Sequence, residues 1–78
     1  MNDYTYEEQN LAYKFADALN DHKSMQWHLS LVRKYELWSL QKQLQEALDV
    51  PDNEVRISRA AIYNSRVKRY GVQKSARD

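Results

Sequence analysis

Asp21, Ser24 and His28 stand at i, i+3 and i+7, so on a continuous helix a carboxylate, a hydroxyl and an imidazole line one face. These are the residue types of a hydrolytic triad. Nucleophilic hydrolysis also needs a sharply exposed nucleophile and separate donors for the oxyanion. The chain has a single glycine, which leaves neither a nucleophile elbow nor a glycine-rich loop to supply them. Asp21 and Ser24 therefore read as competing caps at a helix start, His28 reads as a boundary residue, and no enzymatic activity is expected. His22 and His28 lack the i, i+4 spacing that puts two imidazoles on one metal. With no cysteine there is no thiolate centre and no disulfide framework, so neither a metal nor a cofactor is expected.

The second set of chemically able residues is basic. From Val55 to Ala76 the chain carries Arg56, Arg59, Arg66, Lys68, Arg69 and Lys74 without one Asp or Glu. A net charge of +1 thus hides an acidic beginning and a basic end, which bears on partners more than on fold. If residues 54–70 form one helix, Arg56, Arg59, Tyr63, Arg66, Arg69 and Tyr70 gather within about 140° of one side. Ile57, Ala60, Ala61, Asn64 and Val67 then take the opposite, docking side. Guanidinium forks pair bidentately with phosphate and tyrosine rings stack on bases, so an outward Arg/Tyr stripe suits a nucleic-acid backbone, DNA or RNA. Lys68 and Lys74 would assist as point charges. The same stripe has a plainer meaning, because basic residues near a helix C-terminus complement its dipole and arginine stems cover apolar surface.

A third feature is aromatic. Trp27 and Trp38 each fall off the main apolar stripe of their helices. Burial on two sides of the second and third helices is the expected explanation; the alternative is a partner-binding patch of Trp27, Leu31 and Trp38.

Four short helices must position these groups. One Gly and one Pro, with abundant Leu, Ala, Gln, Glu, Lys and Arg, predict an all-α chain with tight connections. Thr5-x-x-Glu8 reads as a capping box opening a helix over 5–20, whose apolar stripe is Leu11, Phe15, Ala18 and Leu19. Met25, Leu29, Val32 and Tyr35 mark a second helix over 22–35. The stripe of Leu37, Leu40, Leu44, Ala47 and Leu48 is rotated by roughly 120° from it, which predicts a break at 35–36 and a third helix over 36–49. Ser39, Gln41, Gln43 and Gln45 are expected to face solvent. Val50-Pro51 stops that helix, a fourth runs over 54–70, and Gly71 is placed as a left-handed cap.

These elements predict one compact domain over 1–78, ordered from about 4 to 71, with a mobile polar tail over 72–78. Met1-Asn-Asp-Tyr opens with neither a basic n-region nor an apolar h-region and no apolar run approaches membrane length, so the expectation is a cytoplasmic protein without a signal peptide or membrane contact. Two functions are carried forward. The first is a non-catalytic nucleic-acid-binding module using the Arg/Tyr stripe. The second is a protein-interaction or homo-oligomeric assembly subunit that uses the acidic first helix, the basic fourth helix and the aromatic patch.

Overall fold

A computed structural model describes residues 3–74. All four principal elements are α-helices: α1 (Tyr6–Ala18), α2 (Met25–Lys34), α3 (Leu37–Asp49) and α4 (Arg59–Tyr70). Short 3₁₀ turns at His22–Ser24 and Asp52–Glu54 precede α2 and α4, and no strand occurs among the described residues. The chain divides into two units, Met1–Lys34 and Tyr35–Asp78.

In the first unit the capping box is complete. Thr5 Oγ1 accepts from the Glu8 amide at 3.1 Å, and Glu8 Oε1 accepts from the Thr5 amide at 2.8 Å. Two amides that the start of a helix leaves without carbonyl partners are thus satisfied. At the other end Asn20 adopts φ 53°, the left-handed conformation that Asn tolerates better than most residues. The Asp21 amide bonds to the Ala16 carbonyl and the Asn20 amide to that of Asp17, which together form a Schellman cap. Along α1 the buried residues are Ala12, Phe15 and Ala16, with Leu19 just beyond. Ala18 is exposed, so the buried face is turned slightly from the predicted stripe. Leu29, Leu31 and Val32 are buried on α2.

An ion pair joins the two helices of this unit. Arg33 reaches Glu8 with Nη2 to Oε1 at 2.7 Å and Nε to Oε2 at 3.1 Å, a bidentate fork, and its guanidinium lies 4.4 Å from the Tyr4 ring centre. The Arg33 bond and the Thr5 amide hold the Glu8 carboxyl down to about 2. A carboxyl depressed in the folded state adds stability above its unfolded pKa, and that contribution disappears as pH falls toward the folded value. Thermal stability should therefore decline between about pH 4.5 and 2, and Glu8→Gln should flatten that limb in a pH series of melting curves.

The second unit is an antiparallel α3–α4 hairpin. Leu40 and Ala47 of α3 and Ala60, Tyr63 and Val67 of α4 are buried. Contrary to expectation, so are Ser39 and Gln43. Ser39 Oγ donates to the Glu36 carbonyl and accepts from the Val72 amide, while Gln43 Oε1 accepts from Arg66 Nε at 2.9 Å. Both are polar groups whose burial is offset by hydrogen bonds. Gln41 and Gln45 are exposed, as predicted.

Two further expectations change at the end of this unit. Gly71 is extended rather than left-handed, at φ −64° and ψ 145°. Its need is spatial: an added Cβ would lie 2.6 Å from the Val67 carbonyl oxygen and 2.8 Å from the Tyr35 ring. Nor is residue 72 the start of a free tail. The Val72 carbonyl accepts from the Glu36 amide at 2.7 Å, and Gln73 forms an antiparallel β-bridge with Tyr35. Glu36 caps α3 without a side-chain bond, so the returning backbone supplies an acceptor there. The rest of the predicted tail, 75–78, lies outside the described residues.

Candidate functional site

α4 begins later than its charge pattern suggested. Ser58 is the N-cap, its Oγ accepting from the Ala61 amide at 3.0 Å, which leaves Arg56 and Ile57 in the preceding bend. The buried set Ala60, Tyr63 and Val67 follows i, i+3, i+7 spacing. The docking face is thus rotated toward the tyrosine, and the predicted outward stripe is partly turned in. Tyr63 retains only 1% of its surface, and burial pushes its hydroxyl pKa up. Ile57, assigned to the docking side, is 86% exposed.

Arg59 closes the end of α3. That helix stops at Val50 in extended conformation, and Pro51 has no N–H with which to cap it. Arg59 Nη1 donates to the carbonyls of Ala47, Leu48 and Val50 at 2.9, 3.1 and 2.7 Å, and Nη2 pairs with Asp52. A guanidinium is well matched to this place, where carbonyls cluster at the negative end of a helix dipole. Arg66 is engaged as well. Its Nε donates to Gln43, its Nη2 lies 4.0 Å from Glu46, and its guanidinium sits 4.9 Å from the Tyr70 ring centre.

The other predicted phosphate contacts are placed differently. Arg56, Lys68, Arg69, Tyr70 and Lys74 are exposed, and none of these four cations belongs to an ion pair among the described residues. The three residues of the aromatic patch differ in exposure. Leu31 is buried at 3% exposure, whereas Trp27 is 39% and Trp38 58% exposed. Trp38 projects away from the hairpin seam because the buried positions of α3 are Ser39, Leu40, Gln43 and Ala47. Both tryptophans are thus exposed where burial was expected.

A groove of about 400 Å³ opens on the second unit, lined by Val50, Ile57, Ala61 and Ile62 with Glu46, Glu54, Arg56 and Arg66 among its polar residues. It exists because the chain between Glu54 and Ser58 leaves the helix axis before α4 starts, exposing Ile57 beside the outer face of α4. Sequence reasoning missed it. The available signal was Ser58, a strong capping residue two positions before Ala60, which moves the helix start past Ile57.

The Asp21, Ser24 and His28 constellation of the first unit does come together. The Schellman turn carries Asp21 inward, where its Oδ2 lies 3.0 Å from His28 Nε2 and its Oδ1 accepts from Ser24 Oγ at 3.2 Å. Asp21 is 6% and His28 1% exposed, so the pair is internal: Asp21 does stand at the N-cap of the His22–Ser24 turn, though without a side-chain capping bond, and His28 is buried rather than the expected boundary residue. The order of contacts is Ser–Asp–His. In a hydrolytic triad the imidazole stands between hydroxyl and carboxylate, whereas here the Asp21 carboxylate both accepts from the Ser24 hydroxyl and faces the His28 imidazole. No cluster of three or more potential metal-ligating side chains occurs among the described residues. Likewise, none of their helices is long and apolar enough to cross a membrane.

Comparison with protein-family models, curated proteins and solved structures finds no match to this chain.

Proposed function

We propose that the chain is a small non-catalytic protein-interaction module, and that the groove beside Ile57 receives a branched aliphatic side chain of its partner. The observation that carries this reading is the exposure of Ile57, 86%, at an apolar groove whose other walls include Val50 and Ile62. Apolar anchors held in a pocket and ringed by polar groups are the energetic centres of protein contacts. The contact order around Asp21 supports the non-catalytic part.

Amide spectra of the labelled protein, titrated with short peptides bearing a single Ile or Leu anchor, test the proposal. Saturable shifts at Val50, Ile57 and Ile62 are expected, lost when Ser replaces the anchor. Shifts indifferent to the anchor, or none, would contradict it.

A second reading keeps a specific observation of its own. Arg56, Lys68, Arg69 and Lys74 are exposed and outside the ion pairs given above, so they remain able to meet phosphates. If all four do, duplex affinity should fall with a log–log salt slope near −3.6, and Lys68→Glu/Arg69→Glu should remove about half of that slope. A salt-independent titration would set this reading aside.

A further inference from the structure

Four charged side chains line the groove, and two of them neutralise each other. Glu46 and Arg66 face one another at 4.0 Å across the hairpin. Glu54 and Arg56 remain, opposite in sign, on either side of Val55, both exposed and in no ion pair among the described residues. Next to them stands Ile57, 86% exposed, with the apolar wall of Val50, Ala61 and Ile62 beside it. One patch therefore carries an apolar knob, a recess that accepts such a knob, and one charge of each sign.

That combination is self-complementary. In a two-fold contact the same patch meets itself, so residue i touches residue j of the other copy and j touches i. We infer that the occupant of the groove is a second copy of this chain, joined through a two-fold contact in which each Ile57 enters the other's groove and Glu54 meets the partner's Arg56 twice. The inference rests on the docking reading above and names its partner. A foreign segment would have to supply its own paired charges, whereas a second copy brings both. The patch is small beside interfaces that stay closed at low concentration, so the association belongs in the micromolar to millimolar range.

Sedimentation equilibrium of the full chain across that range, beside four variants, decides the matter. The wild-type mass should rise from one chain to two. Ile57→Asp should stay monomeric at every concentration while keeping its helical circular dichroism, since the side chain it replaces has almost no internal contact. Glu54→Arg and Arg56→Glu alone place like charges opposite each other and should each weaken association by about tenfold. The double variant Glu54→Arg/Arg56→Glu restores both pairs and should return to within about threefold of wild type. A wild type that remains monomeric in the millimolar range, self-association untouched by Ile57→Asp, or a double reversal no better than the singles would each overturn the inference. The anchored peptides separate the two levels. Peptide binding by a monomeric wild type overturns the dimer and leaves the docking reading standing, whereas no peptide binding and no dimer removes both.

Discussion

Tyr63→Ala should unfold most of the protein at room temperature. The side chain is among the largest fully buried ones in the chain, and truncating an aromatic ring in a core costs about 3–5 kcal/mol. Domains of this size have roughly that much in total, so a denaturant curve should show little folded baseline. Tyr63→Phe keeps the ring and isolates the hydroxyl. Burial raises the Tyr63 pKa, so the unfolded chain releases this proton first as pH rises past about 10, and native stability falls from there upward. The phenylalanine variant should lack that share of the alkaline decline. An outward Tyr63 would make both variants nearly silent in denaturation.

Arg59→Ala should be the next most damaging change, with a loss of about 2–4 kcal/mol. Three carbonyls at the end of α3 lose a charge-assisted donor at once, and Pro51 cannot replace it. Asp52 adds little, because its side chain is fully exposed. At roughly 4–8 °C per kcal/mol for a domain of this length, the melting temperature should drop by about 8–32 °C. Arg59→Lys keeps the charge but not the planar fork, and should recover less than half of the loss. By contrast Arg69→Ala, which removes an exposed side chain, should change stability by no more than about 0.5 kcal/mol.

These contrasts show where the sequence was legible. α1 was readable because its capping box is local: Thr5 and Glu8 meet within a single turn. The end of α3 was readable because a proline restricts the residue before it whatever the tertiary setting. The break between α2 and α3 followed from the rotation of one apolar stripe against the next. The orientation of α4 was not readable in this way. Arginine has a stem that covers apolar surface and a fork that serves carbonyls as well as phosphates, so spacing alone does not separate an outward stripe from a structural seam.

The polar burials were hidden for a related reason. Ser39 and Gln43 satisfy their hydrogen bonds with Val72 and Arg66, 33 and 23 residues further along the chain, and no window of a few residues contains both partners. Ile57 was misplaced by one assumption, that the helix began before Ser58. Moving the start to the serine cap changes a buried isoleucine into the exposed knob on which the proposed function depends.

α4 turns Arg59 and Arg66 inward to hold α3, which by the proposal above leaves the Ile57 groove for partners. The arginine side-chain region of a ¹H–¹⁵N spectrum, recorded with and without a single-stranded oligonucleotide, reads this arrangement residue by residue. Resolved, slowly exchanging Arg59 Nη and Arg66 Nε protons that do not move when the strand is added are expected, beside rapidly averaged signals from Arg56 and Arg69. Averaged signals from all four arginines, or shifts of Arg59 and Arg66 on adding the strand, would contradict it.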